Sequence, residues 1–65
     1  MPAFQLYIGN HVEIFELDHG EFISLHLDIE IGITRRTFEL PNSMPHDDAK
    51  EFGKELDRVI TGASI

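Results

Sequence analysis

His11, Glu13, His26 and Asp28 are the residues of this chain best suited to chemistry: two imidazoles and two carboxylates, spaced His-x-Glu and His-x-Asp. Imidazole nitrogen and carboxylate oxygen are competent ligands for zinc or another divalent cation. Side chains alternate across a strand, so each pair shares one face if its segment is extended, and Glu30 then lies nearby. The spacing lacks the diagnostic strength of a helix-borne His-Glu-x-x-His, and cross-strand His–carboxylate pairs also form as simple electrostatic partners. The expectation is therefore a solvated or interface polar face, with metal binding by His11, Glu13, His26 and Asp28 as the alternative and no cofactor required.

Arg35 and Arg36 are the one adjacent basic pair. They can contact a phosphate or carboxylate, but charge on a strand also guards an exposed edge against pairing. His46-Asp47-Asp48 resembles a metal dyad, yet its position after Pro45 reads as the acidic start of a helix. No serine or threonine sits in a recognisable nucleophile motif. A sheet covered by one helix leaves little room for a concave pocket, so a non-enzymatic protein is expected unless subunits share a site.

The elements that position these residues follow from hydrophobic spacing. Ile23, Leu25, Leu27, Ile29, Ile31 and Ile33 occupy alternate positions, with Ser24, His26, Asp28 and Glu30 between them. This is a strand with an aliphatic face and a polar face. Asp18-His19-Gly20-Glu21 marks a tight turn before it. With His19-Gly20 as the loop, Ile14 meets Leu25, Val12 meets Leu27, Ile8 meets Ile31 and Leu6 meets Ile33. On the other face Glu13 meets His26 and His11 meets Asp28. Upstream, Gly9-Asn10 permits either one long strand with a bulge at Gly9 or two strands around a loop centred on Asn10, in which Ile8 meets Val12 and Leu6 meets Ile14. The cross-turn pairing favours the long strand, at least through residue 12.

The apolar phase changes after Gly32, from odd positions to Phe38 and Leu40, so a bulge or turn lies between. Pro41 ends the short strand after it. Asn42 and Ser43 offer caps, Pro45 suits a first turn, and Phe52, Leu56, Val59 and Ile60 recur at helical spacing. Gly53 allows close approach to the sheet, Gly62 is the expected C-cap, and Arg58 suits the last turn. Lys50, Glu51, Lys54, Glu55 and Asp57 read as the solvated face.

The resulting fold class is α+β: an antiparallel three- to four-stranded meander with a long central hairpin and one C-terminal helix packed on one face. A single domain spans 1–65, with strands at about 4–17, 21–33 and 36–40 and a helix at about 44–61. Sixty-five residues without cysteine lie near the lower limit for an unaided core, which favours self-association. The net charge of −7, from 12 acidic and 5 basic side chains, argues against direct nucleic-acid binding. The absence of a secretory pattern or a long apolar run places the expected protein in the cytoplasm, away from membranes.

The register leaves Phe15, Leu17 and Phe22, with Tyr7 farther along, on the face away from the helix. Such a patch is expected to meet a second copy or another protein. The leading expectation is an acidic, homodimeric protein-interaction module acting through its sheet face or edge. The alternative is an acidic inhibitor, of the phage or mobile-element kind, that mimics nucleic-acid phosphate on a basic partner. A divalent-metal-binding protein is third.

Overall fold

A computed structural model describes residues 2–63, so the ends of the expected 1–65 unit, residues 1, 64 and 65, lie outside the described residues. The elements are β1 (Ala3–Ile8), β2 (Val12–Asp18), β3 (Ile23–Ile31), β4 (Thr34–Leu40) and α1 (His46–Ala63). The strands form one antiparallel sheet in the order β1-β2-β3-β4, with α1 packed on β2 and β1. This is the α+β meander that the alternating residues and the terminal helical spacing require.

The expected long strand over 4–17 is instead two strands. The Gly9 N–H donates to the Val12 carbonyl at 2.8 Å, closing a loop around Asn10. A bulge between Gln5 and Tyr7 then shifts the pairing, so that Gln5 opposes Phe15 while Tyr7 opposes Ile14. Tyr7 thereby joins Ile14 on the helix side of the sheet, rather than lying on the outer face as strict alternation from Phe15 implies. The same bulge puts Tyr7, not Leu6, opposite Ile14.

The β2–β3 register is displaced by two residues from the expected one: Ile14 pairs with Leu27, Val12 with Ile29 and Glu13 with Asp28. The reason is the turn. His19 N–H donates to the Phe22 carbonyl at 2.9 Å, and Gly20 has φ 91°, so Gly20-Glu21 are the central residues with glycine first. A type II′ turn wants glycine at that first position, whereas a His19-Gly20 loop would put it second. An even displacement preserves the faces while changing every partner. Phe15 therefore faces His26, and the expected pairs Glu13–His26 and His11–Asp28 do not form.

Gly32, at φ 61°, and Ile33 make the next turn, which accounts for the change of phase, and β4 begins at Thr34, earlier than expected. Met44 N–H closes a turn on the Pro41 carbonyl at 3.0 Å, and Asn42 and Ser43 sit inside this turn rather than capping α1. The first helical carbonyl is that of Pro45, which accepts from Ala49 N–H at 3.0 Å, so Pro45 occupies the cap position. At the other end α1 continues through Gly62 to Ala63. Gly62 is thus not the C-cap, and Arg58 lies before the last turn, paired with Glu55 at 2.7 Å.

Among the described residues the buried apolar core is small: Val12, Ile14, Leu25, Leu27 and Ala49. Ile14 is 0% exposed and lies under Gly53, where a Cβ would come within 2.7 Å of Ile14 Cγ1 and 3.0 Å of Tyr7 Cδ2. Gly62, by contrast, faces open space. Alanine gains up to about 1 kcal/mol over glycine in a helix interior. Gly62→Ala should therefore stabilise the protein by a few tenths to about 1 kcal/mol, while Gly53→Ala should destabilise it by about 1–3 kcal/mol through overpacking. Urea denaturation of both variants reads the difference, and equal shifts of the same sign would refute the close approach.

Candidate functional site

Three groups of side chains stand out: a buried carboxylate under the helix, a polar network on the outer face, and an apolar surface beside the helix. The carboxylate is Asp57, only 6% exposed. It falls four residues after Gly53 and eight after Ala49, on the stripe that faces the sheet, and so does not belong to the solvated face. Its Oδ2 accepts from Tyr7 Oη at 2.8 Å and Asn10 N–H at 2.9 Å, and its Oδ1 accepts from His11 N–H at 2.9 Å. Burial alone would raise its pKa; the hydrogen bonds from Tyr7 and from the His11 and Asn10 amides outweigh burial and hold it below the ordinary value. The same bond, followed by burial, raises the pKa of the Tyr7 hydroxyl. Any side chain at Gly9 would collide with the Asp57 carboxylate and Tyr7 hydroxyl, which explains glycine there.

His11 belongs to this cluster rather than to a metal patch: its Nδ1 lies 3.5 Å from Asp57 Oδ1 and 3.3 Å from Thr61 Oγ1. The other proposed ligands also find separate partners. Glu13 accepts from Gln5 Nε2 at 2.7 Å, and His26 stacks on Phe15 with ring centroids 5.3 Å apart. Asp28 accepts from Arg35 Nη2 at 2.6 Å and Nε at 3.2 Å, and from the Thr37 hydroxyl. Burial pushes the Asp28 pKa up, but the bonds from Thr37 and Arg35 prevail and lower it overall. Among the described residues no three His, Asp, Glu or Cys side chains are grouped to hold a metal ion. Arg35 thus serves Asp28 of its own chain, while Arg36, on the other face of β4, lies opposite Ile29.

Ser24 is buried at the centre of the outer-face network, with its Oγ 2.7 Å from His19 Nε2 and 2.8 Å from His26 Nε2. A serine hydroxyl has one proton, so it donates to one ring and accepts from the other. Residue spacing carries no sign of this bridge, because it depends on the turn bringing His19 back over β3. Phe15 and Leu17 are half-buried on this face, and Phe22 is 57% exposed and stacks on His19 at 4.4 Å. Tyr7 is not among them.

Apolar side chains are also exposed on the helix side. Ile14, Leu27 and Phe38 form one cross-strand row, and their exposures are 0, 5 and 49%. The helix covers β1 and β2 and leaves β4 open. Asp57 contacts Tyr7 on β1, so that flank of α1 faces β1, and the stripe of Phe52, Leu56 and Val59 lies on the opposite flank, toward β3 and β4. Phe52, Val59, Ile31 and Phe38 are all substantially exposed. Phe38 and Ile31 therefore leave apolar surface bare on the part of the sheet that the helix does not cover. A signal was available in the sequence, since Phe38 continues the inner row past the turn.

Comparison of the chain with family models, characterised proteins and solved structures gives no match. Among the described residues no helix is long and apolar enough to cross a membrane.

The buried carboxylates make stability acid-sensitive. Both Asp57 and Asp28 have lowered pKa values in the folded state. Their stabilisation is therefore complete above the ordinary aspartate range, about pH 4, and is lost as pH falls through the depressed folded values. Asp57→Asn should destabilise the protein by about 2–3 kcal/mol at pH 7, because an amide cannot accept all three donors, and should flatten the acid limb of stability against pH. An unchanged acid limb in urea titrations from pH 7 to pH 3 would contradict this.

Proposed function

We propose that this chain is a non-enzymatic protein-interaction module, working as a homodimer, that receives a protein partner on the open helix-side face of β3 and β4. The observation that carries this reading is the exposure gradient along Ile14, Leu27 and Phe38. A continuous inner row that is buried at one end and open at the other is an unfinished core, and apolar surface beside it remains available for burial. Phe52 and Val59 on the adjoining helix flank extend it. This bare apolar surface suits an apolar segment of a partner protein, with Arg36 and Thr34 beside Phe38 on the same face of β4 fixing its placement.

The acidic-mimic reading rests on net charge alone. Two of the carboxylates, Asp28 on the outer face and Asp57 under the helix, are buried and bonded within the chain, and Glu55 is engaged by Arg58. The metal reading lacks a grouped ligand set among the described residues.

Phe38→Ser and Phe22→Ser separate the two faces of the sheet. Both side chains are about half exposed, so each change should cost no more than about 1 kcal/mol of stability. In affinity capture from the native host, Phe38→Ser should lose at least nine-tenths of any partner held by the unmodified chain, and Phe22→Ser should keep it. The reverse pattern would place the working surface on the outer face.

A further inference from the structure

The sheet has two free edges, and they differ. β1 carries the bulge between Gln5 and Tyr7, and a bulge twists an edge away from further pairing. β4 pairs with β3 without interruption from Thr34 to Leu40. The orientation of its backbone groups follows from the neighbouring strands. Glu30 N–H donates to the His11 carbonyl, so the even residues of β3 bond toward β2 and the odd ones toward β4. Their partners on β4 are Thr34, Arg36, Phe38 and Leu40. The N–H and C=O groups of Arg35, Thr37 and Glu39 therefore point outward along the free edge.

We propose that two copies of this chain pair through β4, antiparallel and centred on Thr37, so that two four-stranded sheets become one. This deepens, and rests on, the homodimer of the proposed function. Thr37 is the midpoint of Thr34–Leu40, so this register engages the whole strand. It sets the outward-pointing residues against each other: Thr37 against Thr37, and Arg35 against Glu39 in both directions. Each such pair exchanges two backbone hydrogen bonds. The charges match as well, with opposite signs directly across the junction on the outer face. On the helix side Arg36 meets Phe38 of the other copy, an arrangement that favours cation–π contact.

Neighbouring registers are worse. Sliding by two residues one way sets Arg36 against Arg36; sliding the other way takes Arg35 off the strand, opposite Pro41. A guard of like charges would repel in every register, whereas β4 has one register that sets Glu39 against Arg35, whose Nε and Nη2 hold Asp28 of its own copy. The strand also carries both basic residues of the sheet, Arg35 and Arg36, in a chain of net charge −7, with Arg35 bonded to Asp28 of its own copy. The joined sheet would place two open β3–β4 floors side by side between two helices.

The chain contains no cysteine, so single-cysteine variants report the register cleanly. Across a hydrogen-bonded antiparallel pair the Cα atoms are about 5.5 Å apart, within disulfide reach. Thr37→Cys should form a covalent dimer under mild oxidation. Glu39→Cys should not, since its copies would lie about 14 Å apart along the strand. Sedimentation equilibrium should show a wild-type dimer at micromolar concentration, and Glu39→Lys should weaken it at least tenfold with the circular dichroism spectrum unchanged. A wild-type monomer overturns the dimer in both forms. A wild-type dimer whose Thr37→Cys variant resists cross-linking, or that survives Glu39→Lys unweakened, overturns the β4 junction but leaves the proposed function standing.

Discussion

The arrangement depends on Asp57. A carboxylate removed from water is stable only when its oxygens are well supplied with donors, and Asp57 receives three: the Tyr7 hydroxyl and the amides of Asn10 and His11. All three come from β1 or the loop after it. The C-terminal half of α1 is thereby fixed over the first hairpin. At the other end His46 Nε2 reaches Glu16 Oε2 on β2 at 2.6 Å, an exposed pair of modest worth that nonetheless sets the same alignment. Gly53 and Gly9 remove the side chains that would keep helix and loop apart. Anchored over β1 and β2, the helix cannot also cover β3 and β4.

That offset decides which part of the sheet stays bare. A sheet of four strands is wider than one helix, and a helix centred on one hairpin leaves the other with a bare inner face. Among the described residues the buried core is correspondingly limited to five apolar side chains, while Phe38, Ile31 and Val59 stay at the surface. For a domain of this size such a distribution yields little stability beyond the conformational entropy of folding, and burial of the exposed row in an assembly would add to it. The outer face is finished differently. Asp28 with Arg35 and Thr37, and Ser24 with His19 and His26, satisfy one another, and among the described residues no buried side-chain polar atom lacks a partner. The centre of the outer face is thus polar and bonded within the chain, while Phe22 and Ile8 are exposed at its margins.

Much of the fold could be read from hydrophobic spacing. The alternation from Ile23 to Ile31, the glycines at both later turns and the helical spacing after Pro45 specify strand, hairpin and helix on their own. Register was less accessible, because moving the central residues of a turn by one position moves every cross-strand partner by two while preserving both faces. The alternation therefore agrees equally well with either pairing, and only the conformation of Gly20 decides. The Gln5–Tyr7 bulge has no hydrophobic signature at all, yet it turns Tyr7 to the helix and makes the Asp57 cluster possible. Asp57 itself could have been found, since it shares a helical stripe with Ala49 and Gly53. The His11, Glu13, His26 and Asp28 group dissolved for the same reason that it formed on paper: a patch inferred from register is only as secure as the turn that sets it.

Because the helix is offset, β4 carries both an open face and an open edge, and its backbone can be probed residue by residue. Amide hydrogen exchange across a concentration series tests this most directly. At dilution Arg36 and Phe38, bonded to β3, should be protected while Arg35, Thr37 and Glu39 exchange freely; as concentration rises the latter three should slow together, Thr37 most. Free exchange at Thr37 at every concentration, with the protein assembled, would contradict the account.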